Sequence, residues 1–246
     1  MPLSAMPEVL TLDVGHTFLF PDPPLGEVYA RAAARYGVQV TPAWAEKAWE
    51  RAWEQTKGQQ EGLIYGTTYE EGLDFWLKVN HRVFQDHGLS PEEIHAFVSD
   101  LYLGYARAKL WRVDPGLDKL LDLCAELGVP VALVSNWDVR LRSLLDELDL
   151  LDRFQEVIIS AEVGLEKPDP AIFEHALQRL GGSRERAVHV GDTWNDDVLG
   201  ARQFGMKAIW LAPPLRAVPE ALPGVARLES LGILAQHLSH SSCAAG

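Results

Sequence analysis

From Asp114 onward the chain alternates between two kinds of pattern. Runs rich in β-branched and apolar residues, at Val129–Val134, Val157–Ser160, Ala187–Val190 and Lys207–Leu211, are separated by helical periodicities at Leu117–Leu127, Leu141–Leu148, Ala171–Leu180 and Val198–Phe204. Each connection is long enough to carry the chain to a parallel neighbour, and such crossovers are right-handed. The alternation predicts an α/β fold, a mostly parallel sheet with helices on both faces. Parallel strands buried on both sides present ligands and reactive groups at their carboxyl ends, so chemistry is sought where each strand stops.

The earliest strand candidate is Glu8-Val9-Leu10-Thr11-Leu12-Asp13-Val14-Gly15-His16-Thr17, an apolar run that breaks into an aspartate and a glycine turn. It has no strand partner nearby in sequence, so it is expected to pair with the later strands. Asp13 is then either a reactive carboxylate or a residue that caps the following turn. Between it and Asp114 the pattern is helical, with apolar residues at helical spacing around Leu25, Trp44, Phe75 and Ile94. This block reads as an insertion. The expected organisation is a core from residues 1–17 and 112–236, a helical domain over 18–111 and a flexible tail over 237–246. The glycine-containing stretch Glu61–Thr68 reads as a connector or as a mobile segment facing a ligand.

Three more stretches carry candidate chemistry. Val131–Ser135 ends in Ser135-Asn136, where a hydroxyl, an amide and the free N–H groups of a helix start suit a phosphate-like anion; the same pair is a common helix cap. In Glu166-Lys167-Pro168-Asp169-Pro170 two prolines restrict themselves and the residues before them, which suits a lysine that must hold charge in place. In Gly191-Asp192-Thr193-Trp194-Asn195-Asp196-Asp197, Asp192 and Asp197 sit across a strand-to-helix turn where both could face a hard divalent cation; capping that helix is the other reading for Asp196 and Asp197.

Composition narrows the classes. The formal charge of −13, from 35 acidic against 22 basic residues, argues against nucleic acid or an anionic membrane as partner. No apolar segment approaches membrane-spanning length, and the start of the chain lacks the pattern of an export signal. The two cysteines, Cys124 and Cys243, form neither a disulfide framework nor a metal site by spacing, which fits a reducing cytoplasm. Cys243-Ala244-Ala245-Gly246 has the outline of a prenylation signal, but the final glycine and the lack of upstream basic residues argue against it. Oligomeric state is not legible.

Asp at the first strand end, Ser-Asn at the second, Lys-Pro before the next unit and Gly-Asp with a further Asp last is a specific order. In these motifs, spanning Asp13 to Asp197, the chain resembles the haloacid dehalogenase (HAD) superfamily, whose members combine a Rossmann-like core with, in many cases, an inserted helical C1 cap. Pro24–Tyr29 and Ser135–Asp138 are similar to one subgroup of that family. The resemblance implies that Asp13 is a nucleophile forming an aspartyl ester and that Ser135, Asn136 and Lys167 hold the transferring group. It also implies that Asp13, the Gly15 carbonyl, Asp192 and Asp197 hold Mg²⁺. The substrate would be a small phosphorylated metabolite.

One position departs from the pattern. Phosphatases of the family carry an acid-base Asp two residues after the nucleophile, and here that place is Gly15. A positioned acid-base group contributes about 10² to 10⁴ in rate. His16 is adjacent, although neighbours on an extended chain point apart. Three readings follow: a Mg²⁺-dependent phosphatase suited to good leaving groups, a metal-independent 2-haloacid dehalogenase, and a weak or inactive binder of metal and phosphorylated ligand. The phosphatase is favoured, because dehalogenases of the family lack Gly-Asp at the last motif. Phosphonatases also lack the second Asp but use a cap lysine, and none of Lys47, Lys57 and Lys78 stands out.

Overall fold

The computed structural model describes residues 6–213 and 215–243. Its strands among these residues are β1 (Val9–Leu12), β2 (Leu19–Pro21), β3 (Trp111–Val113), β4 (Val131–Ser135), β5 (Glu156–Ile159), β6 (Ala187–Gly191), β7 (Lys207–Leu211) and β8 (Val225–Leu228). Six of them form one sheet in the order β5-β4-β1-β6-β7-β8, while β2 and β3 form a separate two-stranded sheet. Every pairing in the larger sheet is parallel. The α/β class and the long-range pairing of the opening strand are as the sequence predicts.

The largely apolar character of β1, β4 and β6 is explained by their position, since every residue in these strands is buried. The chain builds outward from β1 to β5 on one side, then returns to build β6, β7 and β8 on the other. The strand order therefore reverses at β1. In open α/β sheets a crevice forms outside the carboxyl ends of the strands at such a reversal. Asp13 follows β1, Ser135 ends β4 and Asp192 follows β6, so the switch point gathers the sequence candidates.

By compactness the chain divides into two units. The first contains the chain up to Phe20, Val113–Asn136 and the chain from Asp149 onward. Within it, helix Gly116–Glu126 packs on helix Leu231–Cys243. Gly116 permits the approach, because a Cβ there would lie 2.6 Å from the Gly232 nitrogen. Two expectations are corrected in this unit. The sequence reading has no strand at Val225–Leu228, a short segment behind a proline-rich loop. Residues 237–243, read as a flexible tail, continue the last helix, because Leu234, Ala235 and Leu238 are all fully buried. The remainder of the tail, residues 244–246, lies outside the described residues.

The second unit comprises Pro21–Arg112 and Trp137–Leu148. Its helices α1 (Leu25–Ala34), α2 (Pro42–Lys57), α3 (Tyr69–Phe84) and α4 (Pro91–Gly104) each pack on the next around Tyr29, Phe75, Phe84 and Phe97. The starts of α3 and α4 carry full capping boxes, Thr68 with Glu71 and Ser90 with Glu93. The connector before α3 is tied down by the same Glu71, whose Oε2 accepts from the Thr67 and Thr68 nitrogens at 2.7 and 3.1 Å. The segment Trp137–Leu148, with its short helix Leu141–Glu147, belongs to this unit, whereas the sequence reading leaves it in the core. Its anchor is a buried ion pair. Arg140 donates from Nε to Asp138 Oδ1 at 2.8 Å and from Nη2 to Oδ2 at 2.6 Å. The guanidinium also lies 3.4 Å from the centre of the Tyr102 ring and donates to the Tyr102 carbonyl. No helix among the described residues is long and apolar enough to cross a membrane.

Candidate active site

The first unit concentrates its buried polar side chains beyond the ends of β1, β4 and β6. Asp13 follows β1 and its backbone nitrogen bonds to the Val190 carbonyl of β6 at 2.9 Å, which fixes the strand end. The residue is only 7% exposed. Its Oδ1 accepts from Ser135 Oγ at 3.0 Å and from Lys167 Nζ at 2.6 Å, and its Oδ2 accepts from Thr17 Oγ1 at 3.3 Å. Lys167 Nζ also donates to Asp197 Oδ1 at 2.6 Å. One buried ammonium thus bridges two buried carboxylates.

Asp192 completes an acidic group: Asp13, Asp192 and Asp197 each place a carboxylate oxygen within 4.8 Å of the others. Asp196 is not part of that group, which answers the ambiguity between the adjacent aspartates. Asp197 points inward because Gly191 leaves room. A Cβ at position 191 would sit 2.2 Å from the Asp197 Cγ, so no other residue fits there with Asp197 in place. Trp194–Leu199, which carries Asp196 and Asp197, is a π-helical segment, a form seen often at functional sites.

The electrostatics follow from this crowding. Burial raises the Asp13 carboxyl above the usual range and the Asp197 charge adds to that, against the opposing Lys167 ammonium. Asp192 is pushed up to about 8 by burial and by the charges of Asp13 and Asp197. Burial opposes ionisation of Asp197 too, but Lys167 and the His189 hydrogen bond prevail and hold it well below the ordinary carboxylate range. Burial works against the Lys167 ammonium, yet Asp13 and Asp197 keep it firmly protonated. Three carboxylates against one ammonium leave excess negative charge, and an all-oxygen donor set of this kind fits a hard divalent cation.

One sequence candidate sits differently from expectation. Asn136, read as a ligand-binding amide, pairs with the main chain of Lys167: its Nδ2 donates to the Lys167 carbonyl and its Oδ1 accepts from the Lys167 nitrogen, both at 2.7 Å. It sets where the lysine sits. Gly15 brings no side chain to the group, and its backbone forms a bridge with Leu19. His16 is exposed, in a left-handed conformation at φ 55°, with its ring edge-on to Phe20.

Sequence reasoning missed four supports. Thr17 touches Asp13, and the Thr193 nitrogen donates to Asp197 Oδ2 at 2.8 Å. His189 Nε2 lies 3.0 Å from Asp197 Oδ1. The Trp210 indole donates to the Asp192 carbonyl at 2.8 Å. His189 and Trp210 read only as members of apolar strands, and no local pattern marks them.

Residues 8–205 match the family described as haloacid dehalogenase-like hydrolase. The chain belongs to that family. It is 32% identical over 241 residues to haloacid dehalogenase-like hydrolase domain-containing protein 3 of Homo sapiens, covering 97% of this chain and 95% of that protein. It is 33% identical over 166 residues to phosphoserine phosphatase of Thermus thermophilus, covering 65% of this chain and 66% of that enzyme. Among solved structures, a 2-haloacid dehalogenase from Pseudomonas syringae superposes with a TM-score of 0.64 at 23% identity, covering 96% of this chain and 99% of that one. At that identity the likeness speaks to fold. The family places this HAD chain among hydrolases, and the choice of chemistry rests on the site.

Proposed function

We propose that this HAD hydrolase is a Mg²⁺-dependent phosphatase acting on a small phosphorylated metabolite, and that it works in the cytoplasm. The observation that carries the reading is the third carboxylate. A dehalogenase needs the nucleophile and a cation to hold it, which Asp13 and Lys167 supply. Asp192 beside Asp13 and Asp197 has a purpose only if positive charge is to be gathered there.

In the proposed reaction Asp13 attacks phosphorus and the bond to the leaving oxygen breaks, giving an aspartyl phosphate. Water then attacks phosphorus and releases phosphate, restoring the carboxylate. Oδ2 is the attacking oxygen, since Oδ1 already accepts two hydrogen bonds and Oδ2 one long one. Lys167 and the Ser135 hydroxyl hold the nucleophile and would balance charge on the transferring group. Asn136 acts through the Lys167 main chain. Mg²⁺ would be held by Asp13, Asp192 and the Gly15 carbonyl, with Asp197 alongside, and when bound it neutralises phosphoryl charge. Because Gly15 cannot protonate the leaving oxygen, substrates with acidic leaving groups are preferred.

The same absence favours a second reading, dehalogenation, in which halide departs without a proton. Steady-state hydrolysis of an aryl phosphate and of 2-chloropropionate, each with Mg²⁺ and with excess chelator, separates the two. Phosphate release abolished by chelator is the expected result. Chloride release indifferent to chelator would replace the proposal with the dehalogenase. If neither product forms, the phosphatase reading survives only if mass spectrometry finds a phosphorylated Asp13 after incubation with acetyl phosphate.

A further inference from the structure

His189 occupies the middle of a fully buried parallel strand and is itself 0% exposed. An apolar residue would serve the packing there at no desolvation cost, so the imidazole is accounted for only by its hydrogen bonds. Both nitrogens have partners. Nδ1 lies 2.8 Å from Thr11 Oγ1, on the residue directly opposite in the neighbouring strand. Nε2 lies 3.0 Å from Asp197 Oδ1. A carboxylate beside Lys167 cannot supply a proton to this contact, so Nε2 carries the hydrogen whatever the state of Nδ1. Asp197 Oδ1 then receives a second donor, Lys167 Nζ, which reaches on to Asp13. The series Thr11, His189, Asp197, Lys167, Asp13 begins on β1 and ends at the residue that follows it, two positions along the chain.

Building on the proposed function, we propose that His189 and Thr11 are positioning residues: they fix the Asp197 carboxylate, and through it the aim of Lys167 at Asp13. Neither His189 nor Thr11 touches substrate. Gly191 lets the Asp197 carboxylate lie directly against the strand backbone, within reach of the His189 ring two residues earlier on the same strand.

The test combines spectroscopy with kinetics on the full chain. Nitrogen-15 NMR of the His189 ring is expected to show a protonated Nε2; an unprotonated Nε2 overturns the proposal. In aryl phosphate hydrolysis His189→Leu is expected to lower kcat by about 10- to 100-fold with KM within about twofold, a loss of the size that misplacing a reacting group brings. Thr11→Val lies between the variant and wild type, and His189→Gln, which keeps a donor, recovers most of the rate. A His189→Leu kcat within twofold of wild type overturns the proposal. If the wild type turns over no phosphate ester, the functional reading fails alone, and the Lys167 ammonium resonance in ¹⁵N-lysine protein decides the positioning. It is expected to shift in His189→Leu and to stay in His189→Gln; no shift in His189→Leu overturns the proposal. Thr11→Val, nearly isosteric, covers the case in which His189→Leu does not fold.

Discussion

Among the described residues charge is buried in two places, and the two clusters are built on opposite plans. In the helical unit one arginine meets one aspartate in a two-point grip, and the pair is nearly sealed, with Asp138 1% and Arg140 9% exposed. The books of charge balance. In the sheet unit one lysine meets two carboxylates and a third stands within 4.8 Å. That cluster is short of positive charge. A balanced buried pair holds a segment in place; an unbalanced one favours taking up a proton or a cation, and this difference separates scaffold from candidate site.

The sharpest way to break the comparison is Asp13→Asn. Removal of a nucleophile is expected to lower turnover by about 10⁴-fold or more, with the circular dichroism spectrum unchanged. Undiminished hydrolysis would mean that the unbalanced cluster is not the reacting one. Next in size is Arg140→Met, which strands Asp138 and is expected to cost about 3 to 5 kcal/mol in urea unfolding. Adding Asp138→Leu should restore much of that, because removing both charges of a balanced pair leaves no buried ion behind. If the double variant is as unstable as the single, the pair is more than a matched grip.

Cation binding gives a smaller effect. Mg²⁺ at about 100 times its dissociation constant stabilises by about 2.7 kcal/mol, read as a rise in Tm. The Arg140→Met variant should keep that rise and Asp192→Asn should lose it. The smallest effect concerns a third kind of burial. Burial alone pushes the Cys124 thiol up to about 11, so its thiolate is scarce at pH 8.5. Iodoacetamide at that pH should label Cys124 in unfolded protein but not in folded protein, as read by peptide mass mapping.

Much of this was legible in sequence because chemistry here sits at strand ends, and strand ends announce themselves. Asp13, Ser135 and Asp192 follow or close apolar runs, Lys167 is marked by the prolines after it and Asp197 by the turn beyond Asp192, and the structure gathers all five. What escaped depends on contacts far apart in sequence. Asn136 reads as a ligand-binding amide until Lys167 is seen to occupy it, 31 residues away. His189 reads as one polar interruption in a strand. Trp137–Leu148 follows a core strand and forms a helix, so its periodicity gives no sign that Arg140 ties it to Tyr102 and makes it part of the helical unit. The last helix escaped because small and polar residues after His237 conceal the buried Leu234 and Leu238 that drive it.

The place of β1 at the strand-order reversal has a consequence for how the chain comes off a ribosome. The strand that carries Asp13 emerges early, yet its two neighbours, β4 and β6, come only after the entire helical block. Thr11 waits 178 residues for His189. Until β4 emerges the strand has both edges open, and until β6 emerges one stays open, so folding is governed by distant pairings and is slow, with the first strand the segment most in need of protection during synthesis.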